Sequence, residues 1–257
     1  MGFVNLVPSL SERLLQSQAH PLLELALLAP ETALVRLPLR ARAWHLQGFL
    51  GRELTQYLRE TGIADTTLPV GLDGIAAHYR EGGPIGSWRA SIFDERLAQH
   101  FWQRLPDGFR HVHCFDAAGS SDWDGHCAWR PDGVNPLCRY IRYQCPQGQL
   151  VAHYDAPYVD TPARRSLWSL LVYLTDNEDG ATRFLRDPQE SLPFSRRDFR
   201  DQQSVGKDSD VLFATHPKAG DALLFEHRIL HDSQPIVRGA DKLVLRTDLM
   251  FSKVALS

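Results

Sequence analysis

Apolar residues recur at helical spacing in two stretches of the N-terminal half, residues 51–61 and 94–105. The apolar positions are Leu50, Leu54 and Leu58 for the first stretch and Leu97, Phe101 and Leu105 for the second. In the first stretch, charged residues occupy the opposite face. The pattern predicts two helices that each bury one face, and Gly62 predicts the end of the first.

The C-terminal half changes to short apolar segments separated by turn residues. These segments are residues 137–143, 150–155, 167–174, 181–185, 211–216, 222–225 and 243–251. Several short strands without long helices between them are typical of an antiparallel sandwich or barrel. Residues 188–210 interrupt the series with a charged stretch, which predicts either a solvated loop or a mobile lid.

These patterns predict a single domain over residues 1–257, mainly β with supporting helices. We expect an N-terminal arm with helical pieces over residues 1–43, helical support and loops over 44–128, and the β core over 129–257. A chain of this length can bury a sizeable core. Its hydrophobic content of 43% and charged content of 23% are ordinary for a globular protein.

Charge and cysteine content narrow the expected partners and location. The formal net charge of −3 gives no general attraction to nucleic acid or to anionic membranes. The sequence has no membrane-length apolar run and no basic, cleavable secretory leader. Cys114, Cys127, Cys138 and Cys145 form no CxxC pair and no zinc-ligand spacing. We therefore expect a cytoplasmic protein with reduced thiols.

His153 and Asp155 are candidate metal ligands, because residues two apart on a strand point to the same face. Chance alone gives about one His-x-Asp/Glu match in this composition, so the pair needs a third ligand. His231 and His227 are the downstream candidates. Two imidazoles and one carboxylate leave coordination positions open, a pattern expected for non-haem Fe(II) oxygenases.

Several ordered motifs extend this picture over residues 140–251. They are Arg142-Tyr143, Gly148, His153-Tyr154-Asp155, the segments 180–184 and 217–225, His231, and the segment 239–248. In order and spacing, these residues resemble the Fe(II)/2-oxoglutarate-dependent oxygenases, particularly the prolyl 4-hydroxylase-like group. The resemblance implies a double-stranded β-helix, a jelly-roll or cupin-like barrel that holds iron at its open end.

The resemblance also implies the catalytic centre. His153, Asp155 and His231 match the metal ligands, and the position of His231 after the strand in 217–225 favours it over His227. The implied cofactors are Fe(II), 2-oxoglutarate as cosubstrate, and O2. The implied reaction is oxidation of the substrate coupled to decarboxylation of 2-oxoglutarate to succinate. Hydroxylation is the expected outcome, because Asp155 occupies the place that related halogenases leave for chloride.

A dianionic cosubstrate needs a cation for its far carboxylate, and two candidates lie near the end of the chain. Lys242 and Arg246 are four residues apart in a strand-like run, so they share a face. Lys242 matches the prolyl hydroxylase lysine, although one extra residue precedes it, so both candidates remain open. Tyr143 matches a tyrosine that hydrogen-bonds the cosubstrate in this group, and it is otherwise a core residue.

The expected substrate is a small molecule with a carboxylate, such as a free or modified amino acid. Basic residues expected near the mouth would suit such a substrate: Arg142, Arg164, Arg165 and Arg183. Arg89 is either a partner for the substrate carboxylate or a partly exposed structural arginine.

Two other functions compete with this interpretation. A peptidyl or protein substrate is the first alternative, because prolyl hydroxylases accept extended chains. The second is a cupin-like metal-binding module without redox turnover. Such a module needs no cation on its last strand, so Lys242 and Arg246 argue against it.

Overall fold

The computed structural model describes residues 32–39, 41–65, 68–71, 85–110, 113–115, 127–192, 196–200, 202 and 204–254. Two α-helices lie within these residues, α1 (Arg52–Asp65) and α2 (Glu95–Arg104), and neither is long and apolar enough to cross a membrane. Short 3-10 helices span Asp107–Arg110 and Asp208–Asp210. The helical pieces expected within residues 1–31 lie outside the described residues.

The strands are β1 (Ala33–Arg36), β2 (Ala43–Gln47), β3 (Leu68–Gly71), β4 (Ile85–Phe93), β5 (His113–Phe115), β6 (Cys127–Val134), β7 (Leu137–Tyr143), β8 (Leu150–His153), β9 (Val159–Thr161), β10 (Arg164–Tyr173), β11 (Thr182–Leu185), β12 (Val211–Thr215), β13 (Ala222–Glu226), β14 (His231–Ser233) and β15 (Lys242–Val254). They form two antiparallel sheets. The larger sheet has the order β1-β2-β13-β10-β15-β7-β4-β3, with β5, β6 and β9 joined at its side, and the smaller has the order β12-β11-β14-β8. This arrangement confirms the predicted mainly β jelly-roll fold.

Side chains of the larger sheet alternate between two apolar clusters, as expected for a sheet covered on both faces. One cluster joins the sheet to the helices and includes Leu54, Phe101, Leu170, Leu243 and Leu245. The other joins the two sheets and includes Ile141, Tyr143, Leu150, Phe184, Phe225 and Val244. We call the face of the larger sheet that turns toward the smaller sheet the inner face. The candidate site lies on this side.

Helix α2 follows its predicted bounds closely, whereas α1 does not end where expected. The carboxylate of Asp94 caps α2 by accepting hydrogen bonds from the backbone N–H groups of Arg96 and Leu97. The predicted end of α1 at Gly62 is wrong, because the helix continues to Asp65. A Cβ at Gly62 would lie 2.4 Å from Cδ1 of Tyr140 on β7. This glycine serves close packing of helix on sheet.

The predictions of an irregular, helical arm over residues 1–43 and of helical support with loops over 44–128 need correction. Strands β1 and β2 form a hairpin that extends the larger sheet beyond β13, and β3 and β4 extend its other edge. The sequence pattern did not predict strand β4, because the positions of β4 on the inner face are polar. Arg89 and Ser91 pair with Ile141 and Arg139, two inner positions of β7, so hydrophobic and polar residues do not alternate in the usual way.

Part of the charged stretch 188–210 lies along the edge of the smaller sheet. The backbone N–H of Ala152 donates to Ser204 O at 3.0 Å, and the N–H of Gln202 donates to Ala152 O at 2.8 Å. The rings of Tyr154 and Phe199 pack with their centroids 5.2 Å apart. Gln202 and Ser204 therefore cover the edge of β8 immediately before His153.

Candidate metal centre and active site

Three side chains meet where β8 and β14 lie side by side. His153 ends β8 and is paired with His231, which begins β14, and Asp155 follows two residues after His153. One ligand atom from each residue lies within 4.8 Å of the other two. Nε2 of His153 lies 3.8 Å from Oδ1 of Asp155, and Nε2 of His231 lies 3.7 Å from Oδ2. The strand pairing thus brings together the three residues that the sequence predicted.

Both imidazole rings are oriented by the backbone of their own segment. Nδ1 of His153 lies 2.8 Å from Val151 O, and Nδ1 of His231 lies 2.8 Å from Ile229 O. Because a carbonyl can only accept, Nδ1 carries the proton in each ring, and the lone pair of Nε2 is directed toward Asp155. Burial lowers the pKa of His231, which favours the neutral form that binds metals.

Asp155 is held as a buried carboxylate by neighbours on two strands of the larger sheet. Ser169 on β10 donates its hydroxyl hydrogen to Oδ2, and Nη2 of Arg246 on β15 lies 3.1 Å from Oδ1. Burial alone would raise the pKa of Asp155. Arg246, followed by the nearby histidines, outweighs burial and places the pKa well below its usual range.

His227, the rival histidine, lies behind Asp155 with both ring nitrogens engaged. Nε2 lies 2.9 Å from the hydroxyl of Ser166, and Nδ1 lies 2.9 Å from the hydroxyl of Ser169. Its backbone carbonyl accepts the N–H of Asp155 at 3.0 Å. His227 therefore supports the segment that carries Asp155.

Lys242 and Tyr143 lie together on the inner face, as a cross-strand pair of β15 and β7. Nζ of Lys242 donates to Gly180 O at 2.7 Å and to Ser233 Oγ at 2.9 Å, and it lies 4.9 Å from the centroid of the Tyr143 ring. Burial lowers the pKa of Lys242 to about 7, although Asp232 opposes this shift. The ammonium group has hydrogen-bond partners, but it forms no ion pair with a described residue.

Arg246 lies further along the same face and pairs with carboxylates of the protein itself. Besides Asp155, its Nη2 contacts Oδ1 of Asp248 at 3.2 Å and the hydroxyl of Ser169 at 3.5 Å. The two cations that the sequence left as alternatives thus have different environments. Lys242 neighbours Ser233, and Arg246 neighbours Asp155.

The other arginines expected near the mouth are engaged elsewhere. Arg164 pairs with Asp132 and Asp160, Arg183 pairs with Asp232 and Asp208, Arg142 lies 4.0 Å from Asp241, and Arg165 lies over the ring of Trp129. The strand register places Arg89, Arg139 and Arg246 on the inner face instead.

Sequence reasoning missed Arg139, Ser169 and Ser233. Arg139 alternates with Ile141 and Tyr143 on β7, so strand periodicity could have placed it on the same face. Ser233 follows His231 by two residues on β14 and could have been found in the same way. Ser169 carries no local signal, because its contact with Asp155 joins residues that are distant along the chain.

One comparison with known protein families matches the part of the chain that contains this site. Residues 126–241 match the family model of phytanoyl-CoA dioxygenase (PhyH), a segment that includes His153, Asp155 and His231. No curated protein matches the chain.

Solved structures with a similar fold include three whose TM-scores to this chain are below 0.5. A viral collagen prolyl hydroxylase from Paramecium Bursaria Chlorella virus-1, in complex with 2-oxoglutarate, is 18% identical, with a TM-score of 0.44, over 82% of this chain and 95% of that chain. HygX from Streptomyces hygroscopicus, with nickel and 2-oxoglutarate bound, is 14% identical, with a TM-score of 0.47, over 82% of each chain. A Pseudomonas putida prolyl-4-hydroxylase is 13% identical, with a TM-score of 0.43, over 91% of this chain and 100% of that chain.

The match of residues 126–241 to the phytanoyl-CoA dioxygenase family model agrees with the resemblance to Fe(II)/2-oxoglutarate-dependent oxygenases that the sequence motifs carry. The resemblance implies iron, 2-oxoglutarate and O2 as cofactors. The donor set fits iron: two imidazoles whose Nδ1 atoms face backbone carbonyls, and one buried carboxylate, with ligand atoms within 4.8 Å of one another.

Proposed function

We propose that the protein hydroxylates an unactivated C–H bond of a small, carboxylate-bearing substrate such as a free or modified amino acid. The reaction consumes O2 and 2-oxoglutarate and yields the alcohol, succinate and CO2. One oxygen atom enters the product and the other enters succinate, so atoms and electrons balance without a further reductant.

The observation that carries this proposal is the convergence of His153, Asp155 and His231, whose ligand atoms lie within 4.8 Å of one another. We assign these three residues as the iron ligands and the catalytic centre. Iron bound there supplies the redox chemistry that activates O2 together with 2-oxoglutarate. The protein's part is to present the two Nε2 atoms and the carboxylate in one direction.

We assign Lys242 as the cation for the far carboxylate of 2-oxoglutarate, with Tyr143 and Ser233 beside it. Lys242 is only 1% exposed, and its hydrogen bonds go to a carbonyl and a hydroxyl, so a carboxylate would supply the missing counter-charge. Ser233 is two residues from His231 on β14, which supports a cosubstrate site next to the metal centre. Arg246 holds Asp155 in place.

Substrate class is tested by measuring succinate formation with Fe(II), 2-oxoglutarate and O2 against a panel of amino acids, their amides and proline-containing peptides. The proposal expects a small carboxylate to stimulate succinate formation and to gain 16 mass units. Stimulation by peptides alone would favour the peptidyl alternative. If the protein binds metal but forms no succinate, either with any member of the panel or with 2-oxoglutarate alone, the non-redox module is favoured.

Two further expectations remain proposals. The first is that the chain forms a single oxygenase domain. The N-terminal strands β1 and β2 support it, because they join the same sheet as β13 and β15. A cytoplasmic location is supported by the free thiols of Cys138 and Cys145.

A further inference from the structure

Two arginines face each other across neighbouring strands beside the metal centre. Arg139 on β7 is the direct cross-strand partner of Arg246 on β15, and both lie on the inner face. Side chains of directly opposed residues have Cβ atoms about 5 Å apart, and like charges in that arrangement are destabilising. Arg89 on β4 lies on the same face, opposite Ile141.

Two carboxylates lie near these guanidinium groups, and Arg246 engages both of them. Its Nη2 lies 3.1 Å from Oδ1 of Asp155 and 3.2 Å from Oδ1 of Asp248. Neither carboxylate forms an ion pair with Arg139.

Arg139 is the group best placed to bind an added anion. It makes no hydrogen bond or ion pair with any residue that the structure describes, while Nη2 of Arg246 contacts both Asp155 and Asp248. Burial, and then the proximity of Arg246, lower the pKa of Arg139. A partly buried guanidinium beside a like charge is stabilised when an anion pairs with it. The buried Nε of Arg246 also has no hydrogen-bond partner among the described residues.

We propose that Arg139, supported by Arg246, forms a subsite for the single carboxylate of the substrate and thereby determines specificity. This inference rests on the proposed function, to which it adds the residue that recognises the substrate's charge. A guanidinium offers paired donors that match a carboxylate. A phosphate monoester carries nearly two negative charges at neutral pH, which is more than the single guanidinium of Arg139 balances.

The test uses trifluoroacetate as the probe anion, followed by fluorine NMR on protein loaded with Mn(II) and saturating 2-oxoglutarate. An anion at Arg139 lies close to the paramagnetic metal, so its fluorine relaxation is enhanced relative to Zn(II)-loaded protein. We expect Arg139→Gln to weaken this binding about ten-fold or more, equivalent to about 1.4 kcal/mol. Arg139→Lys is expected to keep part of it. Arg142→Gln is the control, because Arg142 lies on the opposite face of β7.

The outcomes separate this inference from the proposed function. Mn(II) and 2-oxoglutarate binding, followed independently by electron paramagnetic resonance, tests the proposed function alone. If that complex forms but trifluoroacetate shows no metal-dependent relaxation, or binds Arg139→Gln unchanged, the subsite is refuted. Stronger competition by inorganic phosphate than by acetate would refute a subsite for a single charge. If no Mn(II) and 2-oxoglutarate complex forms, the proposed function itself fails, and the subsite that depends on it fails too.

Discussion

Single hydroxyl groups connect the candidate metal centre to the larger sheet. The hydroxyl of Ser169 donates to Asp155 and also contacts Nδ1 of His227, whereas the hydroxyl of Ser166 contacts only the other nitrogen of that histidine and the N–H of Tyr158. The two serines lie on the same strand and differ in one contact relevant to the metal. They are therefore a matched pair for testing whether the orientation of Asp155 matters.

We predict that Ser169→Ala weakens metal binding about ten-fold, because residues that orient a metal ligand typically contribute ten- to a hundred-fold to affinity. Ser166→Ala should leave the affinity near that of the wild type. Competition against a chromophoric chelator with Co(II) measures both variants. Equal affinities in the two variants would show that the Ser169 contact with Asp155 does not support the metal site.

Lys242 gives the cosubstrate site a defined pH dependence. The protonated ammonium binds the carboxylate, and the pKa of Lys242 in the free protein is about 7. We therefore expect the affinity for 2-oxoglutarate to fall as the pH rises above about 7, approaching ten-fold per pH unit. Burial raises the pKa of the neighbouring Tyr143 to about 12, so this tyrosine stays protonated over the same range.

Calorimetric titration with 2-oxoglutarate at several pH values measures this dependence. In Lys242→Arg the charge does not titrate in this range, so the affinity for 2-oxoglutarate should no longer depend on pH. Lys242→Met should lose affinity for 2-oxoglutarate about ten- to a hundred-fold at neutral pH. A wild-type affinity that does not change with pH, together with normal binding by Lys242→Met, would exclude Lys242 as the carboxylate's partner.

Contacts between elements explain two features that are invisible in the local sequence. Gly62 lies inside α1, where alanine would ordinarily favour the helix by about 1 kcal/mol. Because a Cβ would meet the buried ring of Tyr140, we predict that Gly62→Ala lowers the free energy of unfolding by about 1–3 kcal/mol. Gly108→Ala is the control, since a Cβ there would have no neighbour within 4 Å. Urea denaturation compares them, and a stabilised Gly62→Ala would contradict this packing.

Arg183 ties the charged stretch to the smaller sheet. Its guanidinium forms two hydrogen bonds with the buried Asp232, at 2.9 and 2.7 Å, and a third with Gly206 O at 2.9 Å. We predict that Arg183→Leu lowers the free energy of unfolding by about 3 kcal/mol, because it leaves a buried carboxylate without its partner. It should also expose residues near Gly206 to protease.

The control for Arg183 is Arg200→Leu, which removes an exposed pair with Asp198. Exposed pairs of this kind contribute little to stability, so this variant should unfold and be cleaved like the wild type. If Arg183→Leu behaves in the same way, the buried pair does not hold the segment in place.

At the scale of the whole molecule, the sequence predicted what repeats regularly or lies close together along the chain. The strand pattern predicted an antiparallel sandwich or barrel, and the family resemblance implied the jelly roll. The interval between His153 and Asp155 predicted that their side chains share a site. Strand β4 escaped prediction because its inner face is polar where it borders the site. The choice between Lys242 and Arg246 depended on their neighbours across strands, Ser233 and Asp155, which no local pattern reveals.

The central claim is that His153, Asp155 and His231 hold iron and that 2-oxoglutarate binds beside them with Lys242. Its most direct test is the visible absorption spectrum of anaerobic protein mixed with Fe(II) and 2-oxoglutarate. We expect a weak metal-to-ligand charge-transfer band that is absent in His153→Ala and that needs more 2-oxoglutarate in Lys242→Met. Iron bound by the wild type without this band, or an unchanged band in His153→Ala, would contradict the assignment of the site.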